Sequence, residues 1–421
     1  MRKLQLWFAS IFACAFCSPA LAINIELEYP AGFLFSATHD AAAKAAINSA
    51  AADLSSAITT SLNAVTTDAY TGSNGATTIT LGWQFHYTDP VSNSPVTISN
   101  ATIAANAVVM HVGARNLTGS TLGVGGPGQL GGDSSQFTGG GSPGQWVGAV
   151  ANAETMAENA YKRGGGPILQ AAMGSATLGA VTANYSVDFT IAHGALSLDW
   201  DSNNNGVKDS DAELNAYWHF NHTTPVSAGK SDLYSVALHE MLHAIGIGTS
   251  NSWTSLVSGS TWGGSEVIDV YGTGSNLVGG GHITEGTMST SIVDGSPQEV
   301  VMDPSVFTGT RKYLTALDLA FLRDIGYSTI IPDPQTFSPA DFNEDSDVDA
   351  SDLLAWQGAY GLNGNGDTDD DDDTDGRDFL VWQREYTGPL PFSANVAVPE
   401  PGSAALLALG LISWFGSRRR S

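Results

Sequence analysis

Cysteine is almost absent from this 421-residue chain. The two present, Cys14 and Cys17, both fall in an N-terminal stretch with the marks of a removable export signal. A mature chain starting at Ile23 would have no disulfide and no thiolate. That excludes a disulfide framework, a cysteine nucleophile and a metal site masked by cysteine. Basic residues are scarce as well: 16 Lys and Arg stand against 42 Asp and Glu, a net charge of −26. Five of the sixteen (Arg2, Lys3, Arg418, Arg419, Arg420) lie in the two end segments. Phosphate neutralisation draws on Lys and Arg, so nucleic-acid binding is excluded, whereas strong acidity suits solubility and divalent cations. The apolar run Ala404 to Phe415 is shorter than the ~20 residues of a spanning helix. Glycine is plentiful, at 48 residues, which favours long loops and short strands over a helix bundle. Between the end signals and an acidic tail, about 300 residues suffice for one large two-lobed core.

Both ends read as addresses. Arg2 and Lys3 precede a mostly apolar stretch from Leu4 to Phe16, and Ala20-Leu21-Ala22 forms an A-x-A-like cleavage site. Residues 1–22 are therefore expected to be a signal peptide for the Sec pathway. At the other end, Val398-Pro399-Glu400-Pro401 is followed by the apolar run and then Arg418-Arg419-Arg420. This resembles the PEP-CTERM sorting signal of Gram-negative bacteria. The resemblance implies processing by an exosortase-type enzyme, a transient membrane anchor and a cell-envelope, surface or extracellular destination, with the basic end left in the cytoplasm.

The chemistry concentrates in His239-Glu240-Met241-Leu242-His243, an H-E-x-x-H pattern running into Ala244-Ile245-Gly246. On a helix, residues i and i+4 share a face, so both imidazoles reach one metal ion. Glu240, one residue on, is placed to act as a base. Zinc lowers the pKa of bound water to roughly 7, and a nearby carboxylate can then take its proton. The surroundings read as helix. Ser231 or Asp232 serves as N-cap, Leu233, Val236, Ala237, Met241, Leu242 and Ile245 recur at mostly helical spacing, and Gly246 and Gly248 suit its end.

A zinc hydrolase needs a third protein ligand. The compact metzincin pattern puts a histidine three residues past the glycine, where this chain has Thr249. Leishmanolysin-like metzincins insert a segment there, and the chain resembles them over roughly residues 80–330. The resemblance implies that His282, in Gly279-Gly280-Gly281-His282, is the third ligand and that Met302, in Glu299-Val300-Val301-Met302-Asp303-Pro304, forms the methionine turn. Leu314 to Ile325 reads as the last catalytic-domain helix, Val108 to Arg115 as a strand, and Thr121 to Gly128 as a glycine-rich turn. His219 and His222, just before the motif helix, remain open as third ligands, as do Glu266 and Glu285. Asp201, Asn203, Asn205, Gly206 and Asp209 have the spacing of a calcium loop and equally that of an Asn/Gly turn.

Fourteen acids crowd between Asp341 and Asp378. Asp341, Asn343, Asp345, Asp349 and Asp352 occupy positions 1, 3, 5, 9 and 12 of a calcium loop. Twenty-six residues on, Asp367, Asp369, Asp371, Asp375 and Asp378 repeat the spacing, and each loop leads into a segment with Trp-Gln in register, Trp356 and Trp382. The pair resembles a type I dockerin, which implies two bound Ca²⁺ and a cohesin-like or surface partner. Ser346 and Asp372 stand where a glycine usually makes the turn.

The expected fold is α+β: a two-lobed zincin (metzincin-like) catalytic domain with a small α-helical, calcium-binding dockerin-like module. The expected segments are the signal peptide 1–22, a metallopeptidase domain 23–330, a linker 331–338, the dockerin-like module 339–388, a linker 389–397 and the sorting signal 398–421. The expected activity is a secreted or surface-targeted zinc endopeptidase acting on protein or peptide, with His239, His243 and His282 on Zn²⁺ and Glu240 as general base. Two alternatives stand beside it. One is a non-catalytic zincin-fold surface or matrix protein working through its dockerin-like module; the other is a zinc hydrolase acting on a non-peptide exopolymer.

Overall fold

A computed structural model describes residues 23–330 and, further on, 340, 342, 348–362, 366, 368 and 373–386. The signal-peptide and sorting-signal segments and both expected linkers lie outside the described residues. The chain divides into two compact units, residues 1–332 and 333–421. Among the described residues no helix is long and apolar enough to cross a membrane.

The first unit is mixed α/β. Its central sheet has four strands in the order Asn24–Glu28, Ala107–Arg115, His193–Asp199, Gly123–Pro127. The first three run parallel and the last is antiparallel, leaving Gly123–Pro127 as one edge. Ala107–Arg115 is buried along nearly its whole length, as befits a parallel strand covered on both faces. A second, antiparallel sheet is built on the long strand Thr77–Thr88. It pairs Tyr70–Asn74, Pro95–Ile98 and Gln129–Thr138.

Two helices organise the interior of this unit. Asp40–Ala57 buries Ala43, Ala46, Ile47, Ala50 and Leu54, an i, i+3, i+4, i+7 stripe that packs against the helix Leu233–Ala244. That second helix is buried nearly all round, so the unit's core wraps it. Ala316–Asp324 closes the unit with Leu317 and Phe321 buried, and Ile325 is buried just past its end. The helix expected from Leu314 to Ile325 is thus present and slightly shorter, because Thr315 takes the N-cap. The segment Thr121–Gly128 departs from expectation: most of it is the edge strand rather than a turn. Its glycines let the strand lie close against the helix Leu233–Ala244 and do not reverse the chain.

In the second unit, the helices Ala350–Ala359 and Gly376–Glu385 begin alike. Asp349 and Asp375 are the N-caps, and the buried Asp352 and Asp378 accept their backbone N–H groups at 2.7 and 2.6 Å. The tryptophans cross over: Trp356 Nε1 donates to Asp375 O (3.1 Å) and Trp382 Nε1 to Asp349 O (3.0 Å). Each repeat therefore fastens the start of the other's helix, which explains why the two tryptophans recur in register.

His193, on the third strand of the main sheet, is 2% exposed, and neither ring nitrogen has a hydrogen-bond partner. Phe85 packs edge-on against it at 4.9 Å. Burial, then the neighbouring His111 and His86, push its pKa down to about 3. The unfolded chain binds a proton near 6.5 that the folded chain refuses until about 3, so stability falls as the pH drops through that window. The slope is at most about 1.4 kcal/mol per pH unit from this group. His193→Leu is expected to shift the midpoint of acid unfolding to lower pH, followed by circular dichroism; an unchanged midpoint would refute this source of acid sensitivity.

Candidate metal centre

The motif helix owes its start to Asp232. Its carboxylate caps the Ser235 N–H (3.1 Å) and takes a two-pronged contact from Arg311, at 3.0 Å to Nε and 2.8 Å to Nη2. The helix ends beyond Ala244. Gly246 turns at φ +121°, and the Tyr327 hydroxyl donates to the Ile245 carbonyl at 2.9 Å. Both ends are thus anchored to distant parts of the unit, and His239 and His243 inherit that rigidity.

Three imidazoles meet. The ring centroids of His239, His243 and His282 stand 4.8 to 5.2 Å apart, and one nitrogen from each lies within 4.8 Å of the others. Each Nδ1 faces a backbone carbonyl: His239 that of Val301 (2.8 Å), His243 that of Ile247 (2.9 Å), His282 that of Gly280 (3.2 Å). A carbonyl only accepts, so Nδ1 carries the proton and each Nε2 keeps its lone pair. The Nε2 atoms of His243 and His282 are 3.1 Å apart. Two lone pairs at that distance repel unless something positive sits with them. Burial, reinforced by the neighbouring imidazoles, pushes His239 down to about 3 and His243 to about 4, so a proton is a poor answer. A divalent cation fits the donor set, since neutral imidazole nitrogens oriented by carbonyls are ordinary zinc ligands.

The chain brings His282 back across 39 residues by a backbone contact. Gly248 sits at φ +73°, and a Cβ there would collide with the Gly281 carbonyl. Only glycine lets the loop settle on the helix end. Thr249, where the compact pattern has its histidine, plays a different part. Its hydroxyl donates to the His243 carbonyl at 2.6 Å and helps cap the helix.

Glu240 lies against the edge strand, in the same cleft as the histidines. A Cβ on Gly123 would lie 2.7 Å from Glu240 Cγ, and one on Gly125 would strike the Glu240 carbonyl. The glycines of this strand are therefore the room that the glutamate occupies. Burial pushes its carboxyl up to about 8, against the opposing pull of the Gly125 amide. A cation held by the three imidazoles would favour the charged carboxylate. Edge strand, histidines and glutamate line one open cleft of about 760 Å³, together with Asp303 to Val306.

Of the other candidate third ligands, none joins the cluster. His219 Nε2 contacts the Asn221 carbonyl at 2.8 Å, Glu266 pairs with Arg323 at 2.7 Å, and Glu285 accepts the Ser305 hydroxyl at 2.6 Å. His222 is not part of the group of three. Met302 is buried, and its carbonyl accepts the N–H of Ile283, the residue after His282, at 2.9 Å. In the Asp201 segment both carboxylates are spent on nearby donors: Asp201 takes the Asn205 and Gly206 amides, and Asp209 takes those of Ser202 and the Asn203 side chain. That is the bonding of an Asn/Gly turn. Among the expected calcium ligands, Asp349, Asp352, Asp375 and Asp378 are described; Asp341, Asn343, Asp345, Asp367, Asp369 and Asp371 lie outside the described residues. Carboxylate oxygens of Asp375 and Asp378 come within 4.8 Å of that of Asp373, which is position 7 of the loop, ordinarily a backbone-carbonyl position.

Residues 397–420 match the family model described as the PEP-CTERM protein-sorting motif. The motif implies export to the surface or envelope of a Gram-negative bacterium and processing by an exosortase-type enzyme. No curated protein and no solved structure matches the chain.

The geometry makes a divided expectation about metal. Purified protein should retain one equivalent of Zn²⁺, and His282→Ala should weaken its retention by at least ~100-fold in a chelator competition, while His219→Ala should leave it unchanged. Equal retention in the wild type and His282→Ala would remove His282 from the ligand set.

Proposed function

We propose that the first unit is a two-lobed zincin-type metallopeptidase: an exported, zinc-dependent endopeptidase of the leishmanolysin-like metzincin kind. The observation that carries the reading is the meeting, in one cleft, of three lone-pair imidazoles and a carboxylate from a single H-E-x-x-H helix turn plus one distant loop. A purely structural zinc site has no use for that carboxylate, which favours a hydrolase over an inert scaffold.

His239, His243 and His282 would hold the zinc. When bound, zinc supplies Lewis acidity to the scissile carbonyl and lowers the pKa of water. The remaining work belongs to the chain. The edge strand Gly123–Pro127 offers unpaired backbone groups to an extended peptide, aligning its carbonyl carbon over the cleft. A Glu240 carboxylate oxygen accepts a proton from the attacking water as oxygen bonds to that carbon. The same oxygen delivers the proton to the amide nitrogen as the C–N bond breaks, leaving a carboxylic acid and an amine, which ionise to carboxylate and ammonium. The Val301 and Ile247 carbonyls keep the two helix imidazoles in the tautomer that leaves Nε2 free.

For the second unit we propose a dockerin-like, calcium-binding module that meets a cohesin-like or surface partner. The repeated caps, the crossed tryptophan bonds and the gathering of Asp373, Asp375 and Asp378 support it. The signal segment 1–22 would use the Sec pathway, and the C-terminal anchor would be transient.

Glu240→Gln is expected to keep its zinc and lose activity on casein by about 10²-fold or more, the usual scale for removing a general base. Full turnover in that variant would end the proposed mechanism. Calcium added to metal-stripped full-length protein should raise the thermal midpoint of the second unit, read from the tryptophan fluorescence change that Trp356→Phe and Trp382→Phe together abolish. No shift at millimolar Ca²⁺ would count against the calcium reading.

A further inference from the structure

Asp318 lies outside the cleft, one turn into the closing helix, and is 1% exposed. It completes a capping box with Thr315: its Oδ2 accepts the Thr315 N–H at 3.0 Å and the hydroxyl at 2.7 Å. A capping carboxylate usually needs no more. This one also accepts two amides from another part of the chain, Val301 N–H on Oδ2 at 3.1 Å and Met302 N–H on Oδ1 at 3.4 Å.

The same two residues have carbonyls turned the other way. Val301 O receives His239 Nδ1 at 2.8 Å. Met302 O receives the backbone N–H of Ile283, the residue after His282, at 2.9 Å. The turn is thus a junction with amides on one carboxylate and carbonyls on two ligand-bearing segments. The next residue extends it: Asp303 accepts the Gly286 N–H at 2.7 Å, and the buried Lys312 ammonium braces it from 3.7 Å while pairing with Glu299 at 3.0 Å.

We infer that Asp318 is a positioning residue for the metal centre, setting His239 and the His282 loop together through the Val301–Met302 turn. The inference rests on the proposal that the three histidines hold a metal. Its physical basis is register. The motif helix supplies His239 and His243 as a rigid pair, but nothing in that helix fixes where the His282 loop stands relative to His239. The turn does, because one pair of residues touches both. Fixing the turn fixes the separation of the two nitrogens, and a carboxyl group that accepts both amides also polarises the turn toward more basic carbonyls. A stronger acceptor at Nδ1 makes Nε2 a better donor to a metal.

The test compares two variants of the full chain with the wild type, reading zinc affinity by chelator competition and the visible absorption spectrum after cobalt(II) replacement. Asp318→Asn keeps one oxygen for the Thr315 cap and the Val301 amide but sets an NH2 against the Met302 N–H, opening one side of the turn. It is expected to weaken zinc binding by about 10- to 100-fold and to alter the cobalt spectrum. Thr315→Ala removes the capping hydroxyl and leaves the contacts to Val301 and Met302. It is expected to lower the thermal midpoint without changing affinity or spectrum. Affinity that follows the thermal midpoint in both variants, or is unchanged in Asp318→Asn, overturns the inference. If Asp318→Asn does not fold, amide hydrogen exchange in the wild type decides. Zinc should slow exchange at Val301 and Met302, and equal rates with and without zinc overturn the coupling. A wild type that binds no zinc, or loses none with His282→Ala, refutes the metal centre itself, a different result from either of these.

Discussion

The first unit is organised around one electrostatic constraint: three imidazole nitrogens with free lone pairs are aimed at a common point inside a largely apolar fold. Neutral rings can be buried; rings whose lone pairs face each other at 3.1 Å repel, and a divalent cation between them, as we propose, would relieve that repulsion. Backbone carbonyls hold the arrangement: each Nδ1 faces a C=O, and His239, whose bond is buried, cannot turn its lone pair away without leaving that group unsatisfied. The helix caps, the glycine contacts and the buried acids behind the turn all serve to keep those carbonyls where they are.

Where the motif helix meets the edge strand, the cleft is shaped by volume rather than charge. A glutamate that must reach into the cleft needs space next to the helix, and the neighbouring strand yields it by giving up side chains at Gly123 and Gly125. The strand pairs with another strand, His193–Asp199, on one side only; its other side faces the cleft, where the Gly125 amide turns to Glu240. An open edge invites aggregation unless it is short or covered, and five residues inside a cleft keep that hazard small.

Much of this is legible from residues alone, and the limits have physical causes. The motif helix is readable because its apolar spacing, cap and terminal glycine all agree, and a helix turn carries its own geometry. The closing helix is readable for the same reason. His282 is not readable from spacing, because a loop's return is decided by contacts such as Gly248 on Gly281; only the family resemblance singles it out. The glycines at 123–128 suggest a turn because glycine marks both reversal and close approach, and sequence does not distinguish the two. Asp318 carries a weak signal, Thr-x-x-Asp at a helix start, that announces a cap and says nothing of the second pair of amides it accepts. In the acidic tail, the 26-residue repeat predicts paired helices, and the crossed tryptophans explain why the repeat is kept in step.

The meeting of Gly248 with Gly281 has a consequence for how such a site changes over time. The segment between them leaves the helix end and comes back to the same spot, so its two feet are pinned independently of its length. Closing a longer excursion costs little, about 0.6 kcal/mol for each doubling. Lineages are then free to embellish or trim this detour, or to hang a new substrate-gripping surface on it, while the third imidazole stays in place. The interval between His243 and His282 is then only weakly constrained by the fold, and a pattern search built on a constant interval would pass over chains with the same three-histidine arrangement.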